Sequence, residues 1–137
     1  MRSITFLSIL ILCLGCNSAK HATMKPILLN GTWVPTRQEI GGVQLPAAAF
    51  EKQKLIIADN KYEFTAESVD KGEVKYGDGK MDIYGKEGVN SGKHFTAIYE
   101  YTNSQLTICY NLVGDSYPEG FDTKGKQTLF LSVFRKD

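Results

Sequence analysis

The chain has 137 residues, with 16 lysines and arginines against 15 aspartates and glutamates, and a formal net charge of +1. A nucleic-acid-binding domain generally carries a basic surplus on one face, so this near-neutral balance argues against that class of partner. The length suits one small domain.

The first fifteen residues have the pattern of an export signal. Arg2 is followed by an apolar stretch from Ile4 to Leu14, which is shorter than the roughly 20 residues that a membrane-spanning helix needs. We therefore expect residues 1–15 to be a signal peptide. A spanning helix is the weaker alternative, because polar residues begin directly after Cys16.

The end of this signal, Gly15-Cys16, resembles the lipobox of bacterial lipoproteins. In that family the cysteine thiol is acylated and the signal is cut before it. The resemblance implies lipidation of Cys16 and stable membrane anchoring through several acyl chains. Since Asn17 rather than an aspartate follows, the resemblance also implies, for a host with two membranes, an outer-membrane position facing the periplasm. Ordinary cleavage near Ala19 or Ala22, with loss of Cys16, is the alternative.

Residues 16–29 lack a strong hydrophobic periodicity and are predicted to be the lipidated cysteine and a tether, which leaves 30–137 as the folded domain. Without residues 1–15 and their single arginine, 15 basic residues face 15 acidic ones. Only Cys109 then keeps a free thiol, so no disulfide can form inside the domain. We expect Cys109 to be a small buried residue.

From residue 30 onward, short alternating segments follow one another, separated by turn residues. Asp59-Asn60, Gly77-Asp78-Gly79 and Asn103-Ser104 each join two such segments, as in tight hairpins. About eight strands are predicted, with at most one short helix within Pro46 to Lys52. Consecutive hairpins favour an up-and-down antiparallel arrangement, and closing it removes the exposed edges. The expected fold is all-β, a small barrel.

The opening Gly31-Thr32-Trp33 resembles the Gly-x-Trp motif at the start of the first strand of lipocalins. In that family the tryptophan seals the closed end of the barrel, and a basic residue of the last strand stacks on its ring. The resemblance assigns these structural roles to Gly31, Trp33 and Arg135. A guanidinium over an indole contributes about 0.5–2 kcal/mol.

A longer similarity covers nearly the whole domain. Its segments occur in the order Gly31–Trp33, Ile40–Pro46, Ala97–Glu100, Leu106–Tyr110, Pro118 with Phe121, and Leu129–Arg135. In these segments the chain resembles an uncharacterised lipocalin-like, calycin-type domain family that is abundant in planctomycetes and found in other bacteria. The resemblance implies a small barrel carried on a lipoprotein, and it implies no reaction.

The interior of such a barrel is the candidate ligand site. An eight-stranded barrel is either filled by its own side chains or holds one small ligand. The alternation of the strands predicts an aromatic lining of Tyr62, Phe64, Phe95, Tyr99, Tyr101, Tyr110 and Phe130. The same rings could instead pack into a core without a cavity.

No catalytic arrangement can be recognised in the sequence. There is no Gly-x-Ser-x-Gly elbow and no phosphate-binding glycine loop, and His21, His94 and Cys109 do not supply a zinc ligand set. The acidic residues of the longest loop fit no calcium-binding spacing and are expected to be solvated. We therefore predict a protein that is not an enzyme and has neither a metal nor a cofactor.

Two functions are predicted. The first is a membrane-anchored envelope lipoprotein that binds a small apolar or amphipathic ligand in its barrel. The alternative is an envelope module that binds another protein, as inhibitors and immunity proteins do, through the loop 114–126 with Tyr117, Pro118 and Phe121 as contacts. Phe121 could instead plug the end of the barrel, and a purely structural role is a third option.

Overall fold

The computed structural model describes residues 29–137, which form one antiparallel β-barrel. The predicted signal peptide, Cys16 and the predicted tether up to residue 28 lie outside the described residues. Within residues 29–137, no helix is long and apolar enough to cross a membrane.

The described part of the chain contains nine strands and one turn of 3-10 helix, joined by turns and loops. The strands are β1 (Gly31–Ile40), β2 (Val43–Gln44), β3 (Lys54–Ala58), β4 (Lys61–Thr65), β5 (Val69–Gly77), β6 (Lys80–Glu87), β7 (His94–Thr102), β8 (Gln105–Asn111) and β9 (Leu129–Lys136). The 3-10 turn is Ala47–Ala49, so the predicted helix is shorter than the range from Pro46 to Lys52 allowed. Short helices are stabilised mainly by packing of an apolar face. The three alanines of this turn are exposed, so they provide no such packing.

The barrel contains eight of these strands. Strands β3 to β9 pair in sequence with their neighbours, and β1 closes the barrel by pairing with both β3 and β9. The two residues of β2 pair only with the end of β1. The expected all-β, up-and-down barrel of about eight strands is therefore confirmed.

The three predicted hairpin turns are present, and all lie at the end of the barrel where β1 begins. Asp59, Asp78, Asn103 and Ser104 have φ values between 50° and 62°. Aspartate and asparagine tolerate this left-handed region better than most residues. Local turn chemistry therefore determines where the chain reverses.

The end of the barrel at these turns, which we call the closed end, is sealed by Trp33. Its ring is 1% exposed, and Tyr101 packs edge-on against it at a centroid distance of 5.7 Å. The indole Nε1 donates a hydrogen bond to Leu29 O at 2.9 Å, and Leu29 N donates to Tyr76 Oη at 3.0 Å. Leu29 is fully buried, so the folded domain includes this residue, which the sequence assigned to the tether.

The cation over the Trp33 ring is Lys136 rather than Arg135. Lys136 Nζ lies 5.4 Å from the ring centroid, and Gly31 leaves room for the lysine stem, since a Cβ at Gly31 would lie 2.9 Å from Lys136 Cε. Successive side chains of a strand point to opposite faces. Trp33 pairs with Lys136 across β1 and β9, so these two side chains lie on the same face and Arg135 points outward. The cation predicted at Arg135 is therefore supplied by Lys136.

A β-bulge in β1 changes which residues face the interior. The register with β9 shifts between Pro35 and Arg37. A bulge adds one residue to a strand and thereby reverses the alternation beyond it. As a result both Trp33 and Gln38 point into the barrel, although their spacing alone would put them on opposite faces.

Candidate functional site

The barrel encloses a cavity of about 210 Å³ between the closed end and the opposite end, which we call the open end. All eight barrel strands contribute to its wall, and Leu112 at the open end lines it while being 38% exposed. The cavity therefore reaches the surface there. Its aliphatic wall consists of Leu55, Ile57, Val74, Met81, Ile83, Ile108 and Leu112.

Most of the aromatic side chains predicted to line a ligand site do line this cavity. They are Tyr62, Phe64, Phe95, Tyr110 and Phe130. The Tyr110 and Phe130 rings stack at a centroid distance of 5.7 Å with 25° between their planes. The interior is thus neither fully packed nor large.

Tyr99 and Tyr101 face the interior but do not line the cavity. Strand β7 runs from the open to the closed end, so Phe95 reaches the cavity while the two tyrosines lie further down. Tyr101 packs on Trp33, and Tyr99 packs edge-on against Tyr76 at 5.8 Å. These two rings belong to the seal of the closed end.

A buried carboxylate, Asp70, forms the polar part of the cavity wall. It is 4% exposed and accepts three hydrogen bonds: from Tyr62 Oη to Oδ2 at 3.0 Å, from Asn90 Nδ2 to Oδ2 at 3.0 Å, and from Asn90 N to Oδ1 at 3.0 Å. Asp70 therefore ties the loop between β6 and β7 to the wall of the barrel.

Asp70 is a site residue that the sequence motifs do not reveal. Its alternation with Val74 and Tyr76 along β5 places it on the apolar face of that strand, and this was the available signal. The meeting with Asn90 depends on how β5 and β6 pair, and a register shift between Lys71 and Gly72 in this pairing is not visible in the sequence.

Gly72 makes the contact between Tyr62 and Asp70 possible. A Cβ at Gly72 would lie 2.8 Å from Tyr62 Cε1 and 2.0 Å from the carbonyl oxygen of Tyr84. Burial raises the pKa of Tyr62, and the hydrogen bond to Asp70 raises this pKa further. The tyrosine therefore stays a neutral hydrogen-bond donor across the physiological range.

Two other polar side chains face the cavity near its open end. Gln38 Nε2 donates to Gln53 Oε1 at 2.6 Å and to Ser132 Oγ at 3.2 Å. Burial raises the pKa of Tyr110, which keeps this hydroxyl neutral as well. Few and oriented polar groups in an apolar wall are typical of small-molecule sites.

The aromatic residues of the loop 114–126, Tyr117 and Phe121, are only partly exposed to solvent. Pro118 is buried, and Phe121 packs on the outer face of the barrel against Cys109, Leu129 and Leu131. Phe121 therefore neither plugs the barrel end nor forms an exposed contact. The outward-facing apolar residues of β9 explain this arrangement, because they need a cover.

Hydrogen bonds hold this loop against the barrel at both ends. Thr96 Oγ1 and Asn111 Nδ2 each donate to Ser116 O at 2.8 Å. The buried Thr123 hydroxyl donates to Glu39 and accepts from Gly42 N at 2.9 Å. The hydrogen bonds to Glu39, first from Thr123 and then from Arg37, lower the pKa of that carboxyl group.

Tyr117 joins a polar cluster on the outer face of the barrel. Tyr117 Oη donates to Asp82 Oδ2 at 2.6 Å, His94 Nε2 lies 2.8 Å from Asp82 Oδ1, and the His94 ring stacks on Tyr84 at 4.6 Å. Burial acts to raise the pKa of Asp82, but hydrogen bonds from Tyr117 and His94 outweigh it and the pKa is lowered. Among residues 29–137 no three histidine, cysteine or acidic side chains are placed to hold a metal ion.

Cys109 lies beneath the loop 114–126, in the outer apolar cluster that also contains Leu129 and Leu131. It is fully buried, and burial raises the pKa of its thiol to about 11. Reactive cysteines have lowered pKa values and partial exposure. The expectation of a small buried residue agrees with this position.

Fold and site together define a closed antiparallel β-barrel whose apolar cavity opens at one end. Comparison of the chain with protein-family models, with curated proteins and with solved structures found no match. The cavity and its lining are therefore the features that bear on function.

Proposed function

We propose that this protein is a non-enzymatic binding protein that holds one small apolar or amphipathic molecule inside its barrel. The observation that carries the proposal is the apolar cavity of about 210 Å³ reaching the open end. An engineered protein cavity of about 150 Å³ binds benzene. The cavity therefore suits a molecule slightly larger than one six-membered ring.

The chemistry of the wall supports binding rather than catalysis. Binding sites for small molecules combine apolar and aromatic walls with a few polar groups. General acid–base catalysis works best with groups whose pKa lies near the operating pH. Burial raises the pKa of both Tyr62 and Tyr110, so these hydroxyls are poor acids and bases near neutral pH.

The proposal includes export and anchoring through a lipidated Cys16, and a relationship to the lipocalin-like family. The Gly15-Cys16 motif supports the first, and the position of Trp33 at the closed end supports the second. We expect the full-length protein to partition with membranes and Cys16→Ser to release it. Equal membrane fractions for both would contradict the anchor.

A titration of the full-length protein with propylbenzene, followed by saturation-transfer NMR, tests the cavity. Ile83 lines the cavity, so Ile83→Phe should fill part of the cavity and weaken the binding of propylbenzene by about tenfold or more. The matched control is Ile56→Phe, because Ile56 is 37% exposed on the outside of β3 and should leave binding unchanged. The proposal fails if neither propylbenzene nor its amphipathic analogues phenethylamine and phenylacetate bind, or if both variants behave alike.

Protein binding through the loop 114–126 is the less favoured function. Pro118 and Phe121 pack against the barrel, and Tyr117 is hydrogen-bonded to Asp82. These contacts occupy the side chains that a partner would need.

A further inference from the structure

We propose that the ligand of this cavity carries a cationic amino group that pairs with Asp70, so that the site selects small apolar amines. This inference rests on the proposed function and names the chemical class of the ligand that the same cavity holds.

Among the residues 29–137 that line the cavity, Asp70 is the only one with a charged side chain. None of the ion pairs formed within residues 29–137 includes it. One cation is linked to Asp70 indirectly, because Lys93 Nζ donates to Asn90 Oδ1 at 3.5 Å from the exposed side. The cavity wall thus offers one negative charge and no positive charge.

A buried carboxylate is costly unless hydrogen bonds and an opposite charge compensate for the lost water. Asp70 receives three hydrogen bonds, all from neutral donors on Tyr62 and Asn90. A carboxylate has about four lone-pair positions, so about one acceptor position is left. An ammonium group would use that position and supply the missing charge.

The surrounding side chains fit the rest of an amine. Phe64 is the direct partner of Asp70 across β4 and β5, and the Tyr62 ring ends at the carboxylate. Cations are attracted to the faces of aromatic rings. The apolar body of the amine would then contact the aliphatic wall around Ile83 and Ile108.

The same arrangement disfavours acids. A carboxylate ligand would place a second negative charge beside Asp70 in surroundings of low dielectric constant, where like charges repel strongly. Fatty acids and other apolar anions are therefore excluded by charge, although an apolar tail would suit the wall. A neutral hydrocarbon would bind without using Asp70.

Three probes of similar shape separate these cases with the full-length protein. Phenethylamine is cationic, propylbenzene is its neutral analogue, and phenylacetate is anionic. Titrations compare the wild type with Asp70→Asn, which removes the charge but keeps the shape. The matched control is Asp78→Asn, which removes an exposed carboxylate at the opposite end, where φ is 50° and asparagine is well tolerated.

We expect Asp70→Asn to weaken phenethylamine binding by about tenfold or more, while propylbenzene binding changes by less than about threefold. Asp78→Asn should change neither. In the wild type, phenethylamine should bind and phenylacetate should not, a comparison that does not depend on the folding of any variant.

Two results would overturn the inference and leave the proposed function intact: equal effects of Asp70→Asn on phenethylamine and propylbenzene, or wild-type binding of phenylacetate as tight as that of the amine. If none of the three probes binds, the proposed function itself fails. Failure of the amine inference and failure of the binding function are thus distinguishable.

Discussion

Trp33 shows how one side chain connects the first and last strands of this barrel. Its ring packs on Tyr101, its Nε1 bonds to Leu29 O, and Lys136 covers its face. Each contact comes from a different segment of the chain. The residue therefore stabilises barrel closure as well as the closed end.

Trp33→Ala is expected to destabilise the domain by about 3–5 kcal/mol, because it removes a large buried side chain and leaves a cavity. Urea unfolding followed by circular dichroism measures this change. Arg135→Met is the control, since Arg135 is exposed and should alter the free energy of unfolding by about 0.5 kcal/mol or less. An unchanged midpoint for Trp33→Ala would contradict the closed-end assignment.

Cys109 is expected to be unreactive in the folded protein. With a pKa near 11 instead of 9.0, its thiolate fraction at pH 8 falls by about a hundredfold. Alkylation by iodoacetamide, quantified on the peptide containing Cys109, should be slow in buffer and fast in denaturant. Rapid alkylation under native conditions would mean that the loop 114–126 does not cover the thiol.

At the scale of single elements, the loop 114–126 is a cover for an apolar cluster on the outer face of the barrel. It covers the outer apolar residues of β8 and β9, and carboxylates whose pKa values are lowered help to hold it. Glu39 accepts from Thr123 near one end of the loop, and Asp82 accepts from Tyr117 near the other. The loop should therefore loosen in acid before the barrel unfolds.

Thr123→Val tests this at one anchor. At pH 7 it should cost about 1–3 kcal/mol, because the buried hydroxyl bonds to Glu39 and Gly42. The pKa of Glu39 is lowered in the folded state, so the stability it contributes is fully present above its unfolded value of about 4.5 and is lost as pH falls through the folded value.

The difference in unfolding free energy between wild type and Thr123→Val should therefore shrink when urea unfolding is repeated near pH 3. Thr128→Val, a change of the same type at an exposed position, serves as the control. A difference that stays constant with pH would show that ionised Glu39 is not the partner that matters.

At the scale of the whole molecule, β9 has a special position. It pairs with β8 on one side and with β1 on the other, joining residues as far apart as Trp33 and Lys136. It also supplies buried side chains to both faces, with Phe134 inside and Leu131 outside. The barrel cannot close without it.

A chain that ends at residue 128 is therefore expected to lose cooperative unfolding, because both edges and the inner and outer clusters lose their partners. The loss of a uniquely folded structure is measured by chemical-shift dispersion in NMR spectra, which should narrow in the truncated chain. Val43→Lys is the control, since β2 lies outside the barrel and Val43 is exposed. A truncated chain with native dispersion would contradict the closed barrel.

Some features follow from the sequence because they are local. Alternating apolar residues predict the strands, and Asp59, Asp78, Asn103 and Ser104 mark the hairpins through their tolerance of positive φ. The all-β barrel and the aromatic lining could be predicted this way. The depth of each ring along the barrel could not be predicted, so the sequence places Tyr99 and Tyr101 in the cavity although both belong to the closed end.

The remaining features depend on strand register, which only the tertiary structure decides. One residue of register exchanges the two faces of a strand, so Lys136 rather than Arg135 covers Trp33, and the bulge in β1 turns Gln38 inward. The sequence by itself determines that the chain forms hairpins with one apolar face. The register of β4, β5 and β6 brings Asp70 to Tyr62 and Asn90, and closure of the barrel by β1 and β9 leaves a cavity beside them, because no local pattern specifies how these strands pair.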